Sequence, residues 1–186
     1  MYCGTNKTAL QSQRQIAEAM MVLIRQKPYQ QITISELCKA AGVSRQTFYT
    51  LFTSRENAMV FALQTRSCDV PELEMRRPEA ESRQCRYFDL HRLCRGYSAY
   101  LLRNQGLIRL LVENGIDHLL YDSFFDALER CGHFLSRADA CTRRYAASFY
   151  AGGVTCVARQ YAQEGCESTA EQLEQLLMTL FTGALF

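Results

Sequence analysis

Residues 41–56, AGVSRQTFYTLFTSRE, decide how this chain is read. Arginines, a glutamine and several hydroxyls share the segment with Phe48, Tyr49 and Phe52, so it is too polar for a buried helix and too aromatic for an ordinary surface one. Its neighbour on the N-terminal side, TISELCKAAGVS at residues 33–44, explains the mixture. Thr33 with Glu36 three residues later is a capping-box pattern, in which each side chain takes up the other residue's free backbone N–H. Ile34, Leu37 and Ala41 then fall on one helical face, and Gly42 stands where a left-handed residue ends a helix most easily. Ser44 caps again at once. Phe48, Leu51 and Phe52 form the inward stripe of the next short helix, which leaves Arg45, Gln46, Thr47, Tyr49 and Thr50 outside. Two short helices joined through a glycine turn, the second with a polar outer face, make a helix-turn-helix.

The outer residues have the chemistry of a major-groove reader. Arg45 can fork onto guanine, Gln46 can pair with adenine, and the Thr47 methyl can meet that of thymine. Ser44, Tyr49 and Arg55 suit phosphate oxygens, which fix register without reading bases. Thr50 belongs to the same face, and Thr33 stands at the head of the first helix, where capping is its main use. The candidate DNA-contact set is therefore Thr33, Ser44, Arg45, Gln46, Thr47, Tyr49, Thr50 and Arg55.

The segment TISELCKAAGVSRQTFYTLFTSRENAM, residues 33–59, resembles the DNA-binding motif of the TetR family of bacterial transcriptional regulators. Thr33, Ala41, Gly42, Val43, Ser44, Thr47, Tyr49, Phe52, Ser54 and Glu56 stand in register with that family's pattern. Leu37-Cys38 replaces the usual Ile-Ala, Arg55 the common Lys, and Met59 a Leu; none of these removes the turn glycine. The likeness covers residues 10–65. It implies a homodimeric repressor that binds a palindromic operator on double-stranded DNA and is released by a small-molecule effector. The alternative is a protein-binding adaptor or co-activator on the same scaffold without a small-molecule response.

Outward from the motif, every pattern is helical. Residues 11–27 carry Ile16, Met20, Leu23 and Ile24 on one stripe and end before Pro28, which pushes the preceding residue out of helical geometry. Ser54 opens a fourth helix that fades near Cys68. Residues 70–84, with two prolines and seven charges, read as a connector or loop. Beyond it come helical stripes at Leu90, Cys94, Tyr97 and Leu101, at Leu107, Leu110 and Leu111, and at Leu119, Leu120, Phe124 and Leu128. A long helix at 141–163 follows, then a capping box at Ser168 and Glu171 before Leu173, Leu176, Leu177, Leu180 and Phe181. The expected fold is all-α: a helix-turn-helix domain at 1–68 and a helical effector-binding and dimerisation domain at 69–186, with a loop near 69–84.

In the penultimate helix Gly152 and Gly153 lie in a patch with Ala146, Ala147, Ser148 and Ala151. Each glycine inside a helix costs roughly 1 kcal/mol relative to alanine, which close helix approach would offset. Paired with the Leu-rich last helix, the patch suggests a four-helix bundle about a two-fold axis. The expected interface is Phe149, Gly152, Gly153, Cys156, Leu173, Leu177 and Leu180. FYAGGVTCVARQYAQEG followed by STAEQLEQLL also resembles one C-terminal subtype of the family, without the tryptophan often found before the loop. Tyr87, His91, Tyr97, His118, Tyr121 and Phe125, together with Phe88, Tyr100, Phe124 and Phe134, are candidates to line an effector pocket, since aromatic walls with a few polar groups suit small ligands.

Composition agrees. The chain has 186 residues, 48% hydrophobic and 22% charged, ordinary values for a globular protein. Its net charge of +2 divides into +5 over residues 1–55 and −3 over the remainder, a basic head suited to an anionic partner. Nine cysteines are spread without a C-x-x-C pair, and no apolar leader or membrane-length run occurs, so a cytoplasmic protein with reduced thiols is expected. His91, His118 and His133 lack H-E-x-x-H spacing, and neither G-x-S-x-G nor a P-loop is present. No catalytic activity, cofactor or metal is expected.

Overall fold

The computed structural model describes residues 6–67, 90–131 and 134–183. The expected connector and loop at 69–84 fall outside them. Among the described residues every regular element is helical, so the fold is all-α.

α1 (Lys7–Leu23) starts one turn earlier than the stripe suggested, because the Asn6 side chain accepts a hydrogen bond from the Thr8 N–H at 3.0 Å and caps it. It also ends earlier, at Leu23, and winds through a turn to Lys27 before Pro28 and a single 3-10 turn at Tyr29–Gln31. α2 (Ile34–Ala41) is capped by Thr33 as expected, with the Glu36 N–H donating to Thr33 Oγ1 at 3.2 Å. The box is only half closed: the Glu36 carboxylate instead pairs with Lys27, stapling the end of α1 to the start of α2. Gly42 takes φ +67°, and the Val43 N–H returns to the Cys38 carbonyl at 3.0 Å, closing the helix with the left-handed residue that glycine adopts most easily.

α3 (Arg45–Leu51) and α4 (Arg55–Ser67) complete the N-terminal unit. α1 packs on both α2 and α4, and α3 seats on α1 and α2. Ile16, Met20, Leu37, Phe48, Met59 and Leu63 are fully buried at their centre.

The second unit contains α5 (Leu90–Arg103), α6 (Gln105–Glu113), α7 (His118–Arg130), α8 (Ala140–Gln163) and α9 (Ala170–Thr182). α7 lies along α8, α5 along α9, and α6 against α8. The rings of Tyr97 and Tyr100 meet Phe124 edge-on at 4.9 and 5.4 Å, joining α5 to α7 inside the core. The α9 capping box forms between Thr169 and Gln172, one residue beyond the expected Ser168–Glu171 pair. The sequence contains both overlapping patterns, and only the observed one is used.

Among the described residues, hydrogen bonds join the two units at α4 on α7 and at Asn114. α4 packs on α7, with Gln64 Nε2 donating to Asp126 Oδ2 at 3.2 Å. Asn114, just past α6, accepts at its Oδ1 the Tyr29 N–H (2.8 Å), while its carbonyl accepts from Gln30 Nε2 at 2.7 Å. The 3-10 turn that leads into α2 is thereby tied to the second unit.

Candidate nucleic-acid interface

α3 has only seven residues, and isolated helices of that length are unstable in water. What holds it is its inner face. Phe48, Leu51 and Phe52 are buried, and at roughly 1.5–3 kcal/mol for each large apolar side chain removed from water they fix the rod on α1 and α2. Phe48 and Phe52 are 5.7 Å apart, and Phe52 meets Phe61 of α4 at 5.6 Å. Ser44 caps the rod: its Oγ accepts the Thr47 N–H at 2.9 Å and lies 2.8 Å from Thr47 Oγ1.

The outer face carries Arg45, Gln46, Tyr49 and Thr50 exposed and Thr47 half-buried beside Ser44. Tyr49 is 52% exposed, with its ring edge-on to Phe48 at 5.5 Å, so the phenol is held upright by the aromatic beneath it. Thr50 Oγ1 donates to the Gln46 carbonyl at 3.0 Å. Thr33 is exposed at the head of α2. Cys38 of α2 is buried, and burial pushes its thiol pKa up.

Arg55 is placed differently from the other seven DNA-contact candidates. Its guanidinium lies 4.3 Å over the Tyr29 ring and donates from Nη1 to the carbonyls of Tyr29 (3.1 Å) and Ile32 (2.6 Å). It thus ties the start of α4 to the turn before α2. The Tyr29 phenol donates to Glu56 Oε1 at 3.3 Å, and burial, reinforced by Glu56, pushes its pKa well up. Tyr29, Arg55, Glu56 and Asn114 thus form one connected group between the turn before α2, the start of α4 and the end of α6. Of these, Tyr29 and Asn114 were not singled out from sequence; Pro28 marked only the end of the first helix.

Residues 16–60 match the family model described as bacterial regulatory proteins, tetR family. The helix-turn-helix unit of this chain is thus of the tetR type. No curated protein matches the sequence. Two solved structures share the fold along nearly the whole chain. One is Lin0861 from Listeria innocua, with TM-score 0.67 and 13% identity over 99% of this chain and 96% of that one. The other is the dihydroxyacetone kinase operon activator DhaS, with TM-score 0.54 and 17% identity over 93% and 95%.

Of the effector-pocket candidates, Tyr97, Tyr100 and Phe124 meet in the core, and others lie apart from them. Tyr87 and Phe88 lie outside the described residues. His91 and His118 are exposed on α5 and α7, and Tyr97 is buried in the core, where burial raises its phenol pKa. Tyr121 and Phe125 do form a pair, stacked at 5.8 Å, with the Tyr121 hydroxyl 3.0 Å from Ser148 Oγ on α8.

The dimer candidates separate into an outer and an inner set. Phe149 (61% exposed), Cys156 and Leu180 are exposed, and Gly152 faces open space. Leu173 and Leu177 are buried on the side of α9 that packs against α5. Gly153 makes its close approach within the chain, since a Cβ there would stand 2.7 Å from the Phe181 ring of α9. Two residues absent from the sequence-based set extend the outer face: Tyr145, 75% exposed, and Leu176. With Phe149, Gly152 and Cys156, Tyr145 falls at spacings of four, three and four along α8, a helical stripe visible in the sequence. No metal-ligand cluster and no helix long and apolar enough to cross a membrane occur among the described residues.

Proposed function

We propose that the protein is a sequence-specific transcriptional repressor that binds a palindromic operator as a homodimer in the cytoplasm and is released by a small-molecule effector. One observation carries the reading: α3 is clamped through Phe48 and Leu51 while Arg45, Gln46 and Tyr49 stand free in water. Residues 1–68 supply the DNA-binding domain and 69–186 the helical effector and dimer domain. Dimerisation through α8 and α9 is supported by the uncovered apolar side chains Tyr145, Phe149, Leu176 and Leu180, because apolar surface gathered on one face marks an interaction site. Two such rods related by a two-fold axis read half-sites one or more helical turns apart.

A second reading, a co-activator or protein-binding adaptor on the same scaffold, is favoured by the likeness to the dihydroxyacetone kinase operon activator. Selection of bound fragments from the source genome decides. An inverted repeat recovered with purified protein supports the DNA-binding reading. A protein that retains no fragment even at low salt overturns it.

A further inference from the structure

We propose that Asn114 is a positioning residue for operator recognition: its side chain helps to fix the separation of the two reading helices in a dimer, and so the half-site spacing that is accepted. The inference rests on the dimeric DNA-binding reading above. Its starting point is Tyr29, which is 2% exposed and engages through every group it has. The N–H donates to Asn114 Oδ1 at 2.8 Å, and the carbonyl accepts from Arg55 Nη1 at 3.1 Å. The ring lies 4.3 Å from the Arg55 guanidinium, and the phenol donates to Glu56 Oε1 at 3.3 Å. One residue therefore joins the end of α6 to the head of α4 and to the turn that enters α2.

Asn114 is oriented for this contact. Its Nδ2 donates back to the Leu110 carbonyl at 2.8 Å, which turns Oδ1 towards the Tyr29 N–H, and its own carbonyl accepts from Gln30 Nε2 at 2.7 Å. Among the described residues, the other hydrogen bond between the units runs from Gln64 to Asp126. Gln64 and Arg55 lie at opposite ends of α4, roughly 14 Å apart at about 1.5 Å per residue. A helix attached at one end can swing; attached at both, it cannot. The uncovered apolar side chains that support dimerisation lie on α8 and α9 of the second unit. The seat of the N-terminal unit on the second therefore sets the distance between the two copies of α3. One base pair added between half-sites moves them apart by about 3.4 Å and rotates them by roughly a tenth of a turn. A fixed pair of rods rejects that mismatch, and a slack pair tolerates it.

The test uses the full chain and the inverted repeat recovered from genomic fragments, with its centre intact or lengthened by one base pair. Asn114→Ala should reduce the preference for the intact repeat about fivefold, the effect of one neutral hydrogen bond, and should speed hydrogen exchange at the Tyr29 amide. Asn114→Asp keeps the acceptor for Tyr29 but loses the donor to Leu110 and puts a negative charge at a helix C-terminus. It should melt below the parent yet keep both the spacing preference and the slow Tyr29 amide, which separates positioning from stability. The proposal is overturned if Asn114→Ala prefers the intact repeat as strongly as the parent does, if Asn114→Asp loses the preference equally, or if the Tyr29 amide exchanges alike in all three proteins. A parent that holds no DNA removes the DNA-binding reading together with this inference, whereas the other outcomes leave that reading standing.

Discussion

The guanidinium of Arg55 donates to the Ile32 carbonyl at 2.6 Å, across twenty-three residues of chain. In sequence, Arg55 has the look of a phosphate contact; in the fold, its donors point at the backbone of the turn before α2. Removing it leaves carbonyls short of partners and uncovers the Tyr29 ring. Arg55→Ala should cost about 1.5–3 kcal/mol, the range for a hydrogen bond from a charged donor, read as a lower urea midpoint. Arg55→Lys should recover only part, because an ammonium cannot fork onto two carbonyls and stack on the ring as well. An unchanged midpoint for Arg55→Ala would show the brace to be idle.

Loss of operator affinity should sort by chemistry along α3. Tyr49→Ala should weaken all sequences alike, as expected for a phosphate contact. Arg45→Ala or Gln46→Ala should each cost about 1–3 kcal/mol at one base pair and little at others. Competition binding against operators randomised one position at a time checks this. If the triple variant bound its operator as the parent does, the groove assignment would fail.

Gly152 and Gly153 answer different questions. Gly152 faces open space, so Gly152→Leu should keep the helical circular dichroism yet sediment as monomer. Gly153→Ala must displace the Phe181 ring, which is packed on Tyr150 at 4.8 Å, and should disturb the α8–α9 contact within one chain. A Gly152→Leu dimer indistinguishable from the parent would remove α8 from the interface.

Acid should loosen the link between α1 and α2. The hydrogen bond from Lys27 holds the Glu36 carboxyl below its usual pKa, and the charge of Lys27 adds to the effect. For an acid depressed in the folded state, the stabilisation is complete above the unfolded value of about 4 and is lost as pH falls through the lower folded value. Glu36→Gln should therefore lower the unfolding midpoint at pH 7 and leave it nearly unaltered at pH 2. Equal effects at both would mean that the pair contributes nothing electrostatic.

Local chemistry was the legible part of the sequence. The caps at Thr33, Ser44 and Ser54 and the left-handed Gly42 depend on neighbours within a few residues, and each stands where the pattern put it. Asn6, Thr169 and the end of α1 show where local rules overlap and packing chooses between them. Long-range partners left no trace in the spacing. Nothing around Arg55 shows that its acceptors are carbonyls near Tyr29, and nothing around Asn114 shows that it holds a turn 85 residues upstream. Gly153 announced a close neighbour but could not say that the neighbour was Phe181 of its own chain.

A seven-residue reading rod has almost no order to call its own; it borrows rigidity from the aromatic bed beneath it. Genetic screens for lost regulation should thus collect lesions at Phe48 or Leu51, which never see a base, alongside those that strip Arg45, and telling the two apart will require measuring folding before affinity.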